Sequence, residues 1–123
     1  MRNNLPIINK ELHFDDSSIL VTRTNTNGEI EFCNDAFSQI SGYSVEELAG
    51  MPHNIVRHPD VPASIFEEQW STLKSGKVWM GIIKNRSKSG EFYWSDTYIE
   101  PITNGDATLG FESVSVLATD QQK

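Results

Sequence analysis

The chain has 123 residues, 37% of them hydrophobic and 22% charged, with a formal net charge of −7. Its length suits one domain with one core, and its composition lies in the ordinary globular range, away from disorder. The acidic balance argues against a broad nucleic-acid surface, so any anionic ligand would need a local basic exception. No apolar run approaches the roughly 20 residues of a membrane-spanning helix. The N-terminus also lacks a basic-then-apolar signal pattern, so any membrane anchor is expected outside this chain. The single cysteine, Cys33, excludes an internal disulfide and a cysteine-built zinc cluster, and fits a reducing cytoplasm.

Residues 1–18 carry few apolar residues and no clear period, and read as an N-terminal extension with a short helix near INKELHF. SILVTRT, rich in β-branched residues, ends at NTNGE, where Asn27-Gly28 signals a tight hairpin leading into IEFCN. Cys33 is expected to face the core from this second strand. In NDAFSQISG, Ala36, Phe37 and Ile40 stand at helical spacing, with Asn34 or Asp35 as N-cap and Gly42 beyond the end. SVEELAG repeats the design, Ser44 and Glu47 making a capping box. PASIFEEQWSTLKSG then places Ile65, Phe66, Gln69, Trp70 and Leu73 on one stripe, which predicts the longest helix over 62–74.

The last third is strand-like: KVWMGIIKNRS, GEFYWSDTYIEPI and ATLGFESVSVLAT are separated by KSG and NGD turns. The order β-β-α-α-α-β-β-β predicts an α+β fold, a five-stranded antiparallel sheet with short helices on one face. The folded domain is expected over 19–119, with 120–123 the start of a linker or tail. Alternation puts Trp79, Gly81, Ile83 and Asn85 on one face and Val78, Met80, Ile82, Lys84 and Arg86 on the other. The first row mixes an aromatic, a glycine, an aliphatic and an amide, which suits a pocket wall as well as a core. Ser113 and Ser115 similarly alternate with Glu112, Val114 and Val116.

Between the helices lies PHNIVRHPDVP, residues 52–62, stiffened by Pro52, Pro59 and Pro62. Arg57 offers a planar fork of donors suited to a phosphate or carboxylate, and the helix N-terminus near Pro62 would add partial positive charge. The plain alternative is that Asp60 caps the next helix and pairs with Arg57 while His58 is a surface residue. His53 and His58 have no second motif at metal-ligand spacing, although haem, needing one axial histidine, stays open. No G-x-S-x-G, P-loop or H-E-x-x-H motif is present, and no nucleophile-base pair points to catalysis.

Through most of residues 30–100 the sequence resembles the PAS sensor of bacterial aerotaxis receptors. SGYSVEEL is generic to PAS domains, whereas PHNIVRHPDVP followed by W.G.IKNR.K.G..YW is more specific. The resemblance implies a PAS fold and a non-covalently bound FAD whose redox state reports on respiration and oxygen. The setting it implies is a cytoplasmic module of a membrane-anchored chemotaxis transducer, relaying to a downstream signalling region. It places the flavin-binding cluster on Arg57, His58 and Asp60, with Asn34, Trp70, Trp79 and Asn85 lining or adjoining the site. Light-sensing flavin relatives use the cysteine of G-x-N-C-R-F-L, but the comparable stretch here reads GMPHNIVR, so no light-driven adduct is expected. The alternatives are a haem-binding PAS oxygen sensor and a ligand-free PAS module for homodimerisation or interaction. No metal site, nucleic-acid partner or direct membrane insertion is expected.

Overall fold

The structure is a computed structural model describing residues 6–13 and 17–123. Strands β1 (Ile19–Thr24) and β2 (Ile30–Cys33) form the expected antiparallel hairpin. Its turn requires a positive φ at Gly28, which sits at 80°. Helix α1 (Asp35–Ser41) is capped by Asn34, whose side chain accepts a hydrogen bond from the Phe37 N–H at 3.1 Å, and it ends at Gly42. Helix α2 (Val45–Leu48) carries the predicted Ser44–Glu47 capping box. Helix α3 (Ala63–Lys74) is the longest, and its stripe from Ile65 to Leu73 turns toward the sheet.

Strands β3 (Trp79–Arg86), β4 (Phe92–Asn104) and β5 (Ala107–Leu117) follow as a meander. The five strands form one sheet in the order β2-β1-β5-β4-β3, every neighbouring pair antiparallel. The last strand therefore lies at the centre, bridging the N-terminal hairpin and the meander. Gly110 permits this closeness, since a side chain there would run into the Thr24 carbonyl.

Two apolar clusters form the core. One, with Leu20, Ile30, Phe37, Ile40 and Leu48, sits under α1 and α2 and contains Cys33, as expected. The other, with Val61, Leu73, Ile83, Ile99 and Phe111, sits under α3. No helix among the described residues is long and apolar enough to cross a membrane.

Two expectations need correcting. The described part of INKELHF is extended rather than helical, and Phe14 lies outside the described residues. Ile8 and Leu12 donate backbone hydrogen bonds to the carbonyls of Gly90 and Phe92, at 2.8 and 2.7 Å. The hairpin edge thus offers unpaired carbonyls that win over a helix too short and too sparsely apolar to hold itself. The same segment hides Arg86, which alternation placed on the outer face. Its Nε donates to the Pro6 carbonyl at 2.8 Å and the residue is buried.

Candidate functional site: a hydroxyl-lined cavity

A cavity of about 240 Å³ lies between the inner sheet face and the helices, bounded by residues of both apolar clusters. The register builds its floor. Asn85 and Ile83 of β3 stand opposite Tyr93 and Ser95 of β4, while Thr97 and Ile99 stand opposite Ser115 and Ser113 of β5. On the next strand, Thr22 and Leu20 of β1 continue these rows. Where a sandwich core would carry aliphatics, the centre of this face carries small hydroxyls. They leave room and bring donors and acceptors with them.

These groups are joined. The Asn85 amide donates to the Ser95 hydroxyl at 2.9 Å and to the Ile83 carbonyl at 3.2 Å. Ser95 and Thr97 share a hydrogen bond of 2.9 Å, and Ser115 donates to Thr97 at 3.2 Å. One chain of polar groups therefore runs from Asn85 across β4 to β5. On the hairpin side, His53 Nε2 and the Thr22 hydroxyl lie 2.9 Å apart. Burial holds the His53 pKa below its ordinary value, so the ring is neutral near pH 7.

The proline-rich stretch reaches the cavity in two parts. Its first half is a 3₁₀ turn, His53–Val56, rather than plain loop. This turn is tied to the hairpin by the His53 N–H, which donates to the Gly28 carbonyl at 2.9 Å. Arg57 then pairs through its backbone with Asn85, which fixes the loop to the edge of β3. The Arg57 side chain lies on the cavity wall, 7% exposed. Its guanidinium donates to the Val61 carbonyl at 2.6 Å and sits 5.5 Å from the centre of the Phe66 ring.

The structure brings three of the sequence-selected residues together on the cavity wall: Arg57, Trp70 and Asn85. Trp70 packs edge-on against Phe111, their ring centres 5.4 Å apart, and closes against the hairpin turn at Gly28. Trp79 is buried in the adjoining cluster, its indole folded over Gly81. Asn34 stands apart from the wall and holds the hairpin to α1. It accepts from the Val21 N–H and donates to the Ile19 carbonyl.

His58 and Asp60 also stand off the wall. His58 is 2% exposed rather than a surface residue, packed edge-on against Phe92, with Nδ1 accepting from the Asp60 N–H at 3.1 Å. The Asp60 carboxylate is exposed and pairs with Lys84 at 3.0 Å, which lowers its pKa. It neither pairs with Arg57 nor caps α3, where Pro62 takes the N-cap position without a side-chain bond. Proline at 62 settles the boundary, leaving Asp60 too far upstream to reach the first turn.

Sequence reading missed Tyr93, Ser95 and Thr97 of β4, Thr22 and Thr24 of β1, and His53 as a wall residue. A signal was available for β4. In FYWSDTYIE the alternate residues Tyr93, Ser95, Thr97 and Ile99 show the same mix of one aromatic, small polar groups and one aliphatic that marked β3.

Over 107 residues the chain is 42% identical to the aerotaxis receptor of Escherichia coli K12, covering 87% of this chain and 21% of the receptor. The chain thus spans about a fifth of that relative's length. A PAS domain structure from Colwellia psychrerythraea superposes with a TM-score of 0.75 at 24% identity, covering 82% of this chain and 86% of that one. A light-oxygen-voltage domain structure described with a flavin analogue superposes with a TM-score of 0.74 at 16% identity, covering 84% and 78%. The PAS fold family model matches residues 30–111, more than half of the sequence. With its five-stranded antiparallel sheet and the helices laid over one face of it, the chain belongs to the PAS family.

Proposed function

We propose that this PAS domain is a flavin-binding redox sensor, a non-catalytic module that takes FAD in the hydroxyl-lined cavity and reports respiration or oxygen to a chemotaxis-type signalling partner. One observation carries the reading: the inner sheet face joins the Asn85 amide to a chain of hydroxyls beside apolar walls, a composition suited to a flat ring system with a polar edge. Similarity to an aerotaxis receptor, and a fold shared with a light-oxygen-voltage domain described with a flavin analogue, support it.

A bound flavin would supply a redox centre whose ring edge exchanges hydrogen-bond acceptors for donors on reduction. The residues then divide the work. Asn85 presents either carbonyl or amide to the ring edge. If its amide turns, Ser95 must donate where it now accepts, and Thr97 follows along the chain. Arg57 supplies a cationic donor fork for a diphosphate, and Trp70 a stacking face. Trp79 backs the wall. Asn34, His58 and Asp60 act from outside, fixing the hairpin and the loop that aim the wall residues. Cys33 lies in the core on β2 and not on the cavity wall.

A haem reading with a histidine ligand would use His53, the only histidine on the wall among the described residues, whose Nε2 already lies 2.9 Å from the Thr22 hydroxyl. As a sensor module, the domain would work in the cytoplasm beside a downstream signalling region, alone or as a homodimer.

The deciding experiment is an absorption spectrum of the purified chain, then acid release and chromatography of the chromophore. Bands near ~450 and ~375 nm with released FAD are expected of a flavoprotein. A Soret band would transfer the case to haem, and a colourless protein that takes up no added FAD would leave an interaction module. In the flavin-loaded protein, Asn85→Asp is expected to weaken FAD binding and to abolish any redox-dependent change in protease sensitivity. If both are unchanged, Asn85 has no part in the relay.

A further inference from the structure

Tyr93 presents an unusual group for the middle of a sheet. Its side chain is 1% exposed, embedded in the core cluster beneath α1, and forms part of the cavity wall. Its hydroxyl has no hydrogen-bond partner among the described residues. A buried hydroxyl left unpaired carries a desolvation cost that a phenylalanine of the same shape would avoid. The hydroxyl oxygen is itself fully buried. Burial also pushes the phenol pKa well up, which keeps the group protonated and a donor throughout the physiological range.

The Trp79 indole N–H is likewise buried without a partner, but that ring is folded over Gly81 beside the cavity rather than on its wall. Tyr93 combines an unpartnered hydroxyl with a place on the wall, and it stands directly across from Asn85 in the β3–β4 register. Both residues line the same cavity. Across such a pair the Cβ atoms are about 5 Å apart, within reach of one edge of a fused ring system.

We propose that the Tyr93 hydroxyl is a ligand-contacting donor of this cavity, hydrogen-bonding a carbonyl or ring-nitrogen acceptor on the polar edge of the bound flavin. The inference rests on the flavin reading and adds a second donor to the one Asn85 supplies. Donors at the ring edge stabilise the electron-rich reduced form more than the oxidised one. Tyr93 therefore holds the midpoint potential of the bound flavin up.

The test compares the wild type with Tyr93→Phe in three measurements: thermal midpoint of the flavin-free protein, FAD affinity by titration, and midpoint potential of the loaded protein. The flavin-free variant is expected to melt at the same temperature or higher, because no protein partner is lost. FAD affinity should fall about tenfold, the usual effect of one neutral hydrogen bond, and the potential should move to more negative values. A lower flavin-free melting temperature would show that the hydroxyl serves the protein itself and would overturn the inference. Equal affinity and equal potential in the two proteins would overturn it too, while leaving the flavin reading in place. Failure of the wild type to bind FAD would bring down both.

Discussion

Acidification gives a sharp check on how the proline-rich loop is held. His58 is 2% exposed, and its Nδ1 accepts from the Asp60 N–H, an arrangement open only to the neutral ring. Burial lowers its pKa below the ordinary 6.5, and Lys84, Arg86 and Arg57 lower it further against the opposing pull of Asp60. Below pH 6.5 the unfolded chain takes up the proton first, so it binds more protons than the native state and stability falls with falling pH. The contribution is complete above the unfolded value and is lost as pH drops toward the folded one. At pH 5.5 the loss from His58 is at most about 1.4 kcal/mol, one unit's worth. His53 adds to it with the same sign.

Urea melts of the flavin-free protein at pH 7.5, 6.5 and 5.5 measure this directly. His58→Asn keeps an acceptor for the Asp60 N–H but cannot titrate. It should be less stable at pH 7.5, having lost the contact with Phe92, and should show a shallower decline between pH 6.5 and 5.5. Equal declines in the two proteins, or a gain in stability on acidification, would refute the account of a buried neutral His58.

Three substitutions test the frame around the cavity. Gly110→Ala would drive a methyl group into the Thr24 backbone carbonyl and should cost about 1–3 kcal/mol in urea melts, since backbone cannot step aside as a side chain can. At Gly50, by contrast, an added Cβ meets nothing within 4 Å, so Gly50→Ala should cost only about 1 kcal/mol, for its positive φ. Leu48→Ala removes a fully buried side chain from the cluster beneath the short helices and should cost about 2–5 kcal/mol by the same assay. A loss under 1 kcal/mol would mean that α2 can collapse onto the gap.

The element order and the hairpin were legible because their signals are local: Asn27-Gly28, the Ser44–Glu47 box and alternation along β3 need no distant partner. The site was only partly legible because a wall is a property of register. Asn85 and Ser115 could each be assigned a face from sequence, but Thr97 links their two strands only through pairings that local pattern does not reveal. Burial of His58 was hidden for the same reason. Its cover, Phe92, belongs to β4 and arrives from more than thirty positions along the chain. Composition marked the loop as polar and stiff, yet could not say which side chains turn inward. Arg57 does and Asp60 does not, because the backbone of Arg57 is pinned to Asn85 while Asp60 is drawn outward to Lys84.

Strand β4 also limits where a change in the cavity can be felt. Tyr93, Ser95 and Thr97 face the cavity, while the intervening carbonyls of Phe92 and Trp94 accept from Leu12 at 2.7 Å and Ala118 at 3.0 Å. Both ends of the described chain thus hang on the same few residues of one strand, and Lys123 ties them together through Glu11 at 2.6 Å. If the Asn85 amide turns on the proposed reading, the displacement enters β4 at Ser95, beside the carbonyl that holds Ala118. The N-terminal segment and the C-terminal tail are then moved together rather than separately. A signal leaving by either one should be weakened when the Glu11–Lys123 pair is broken.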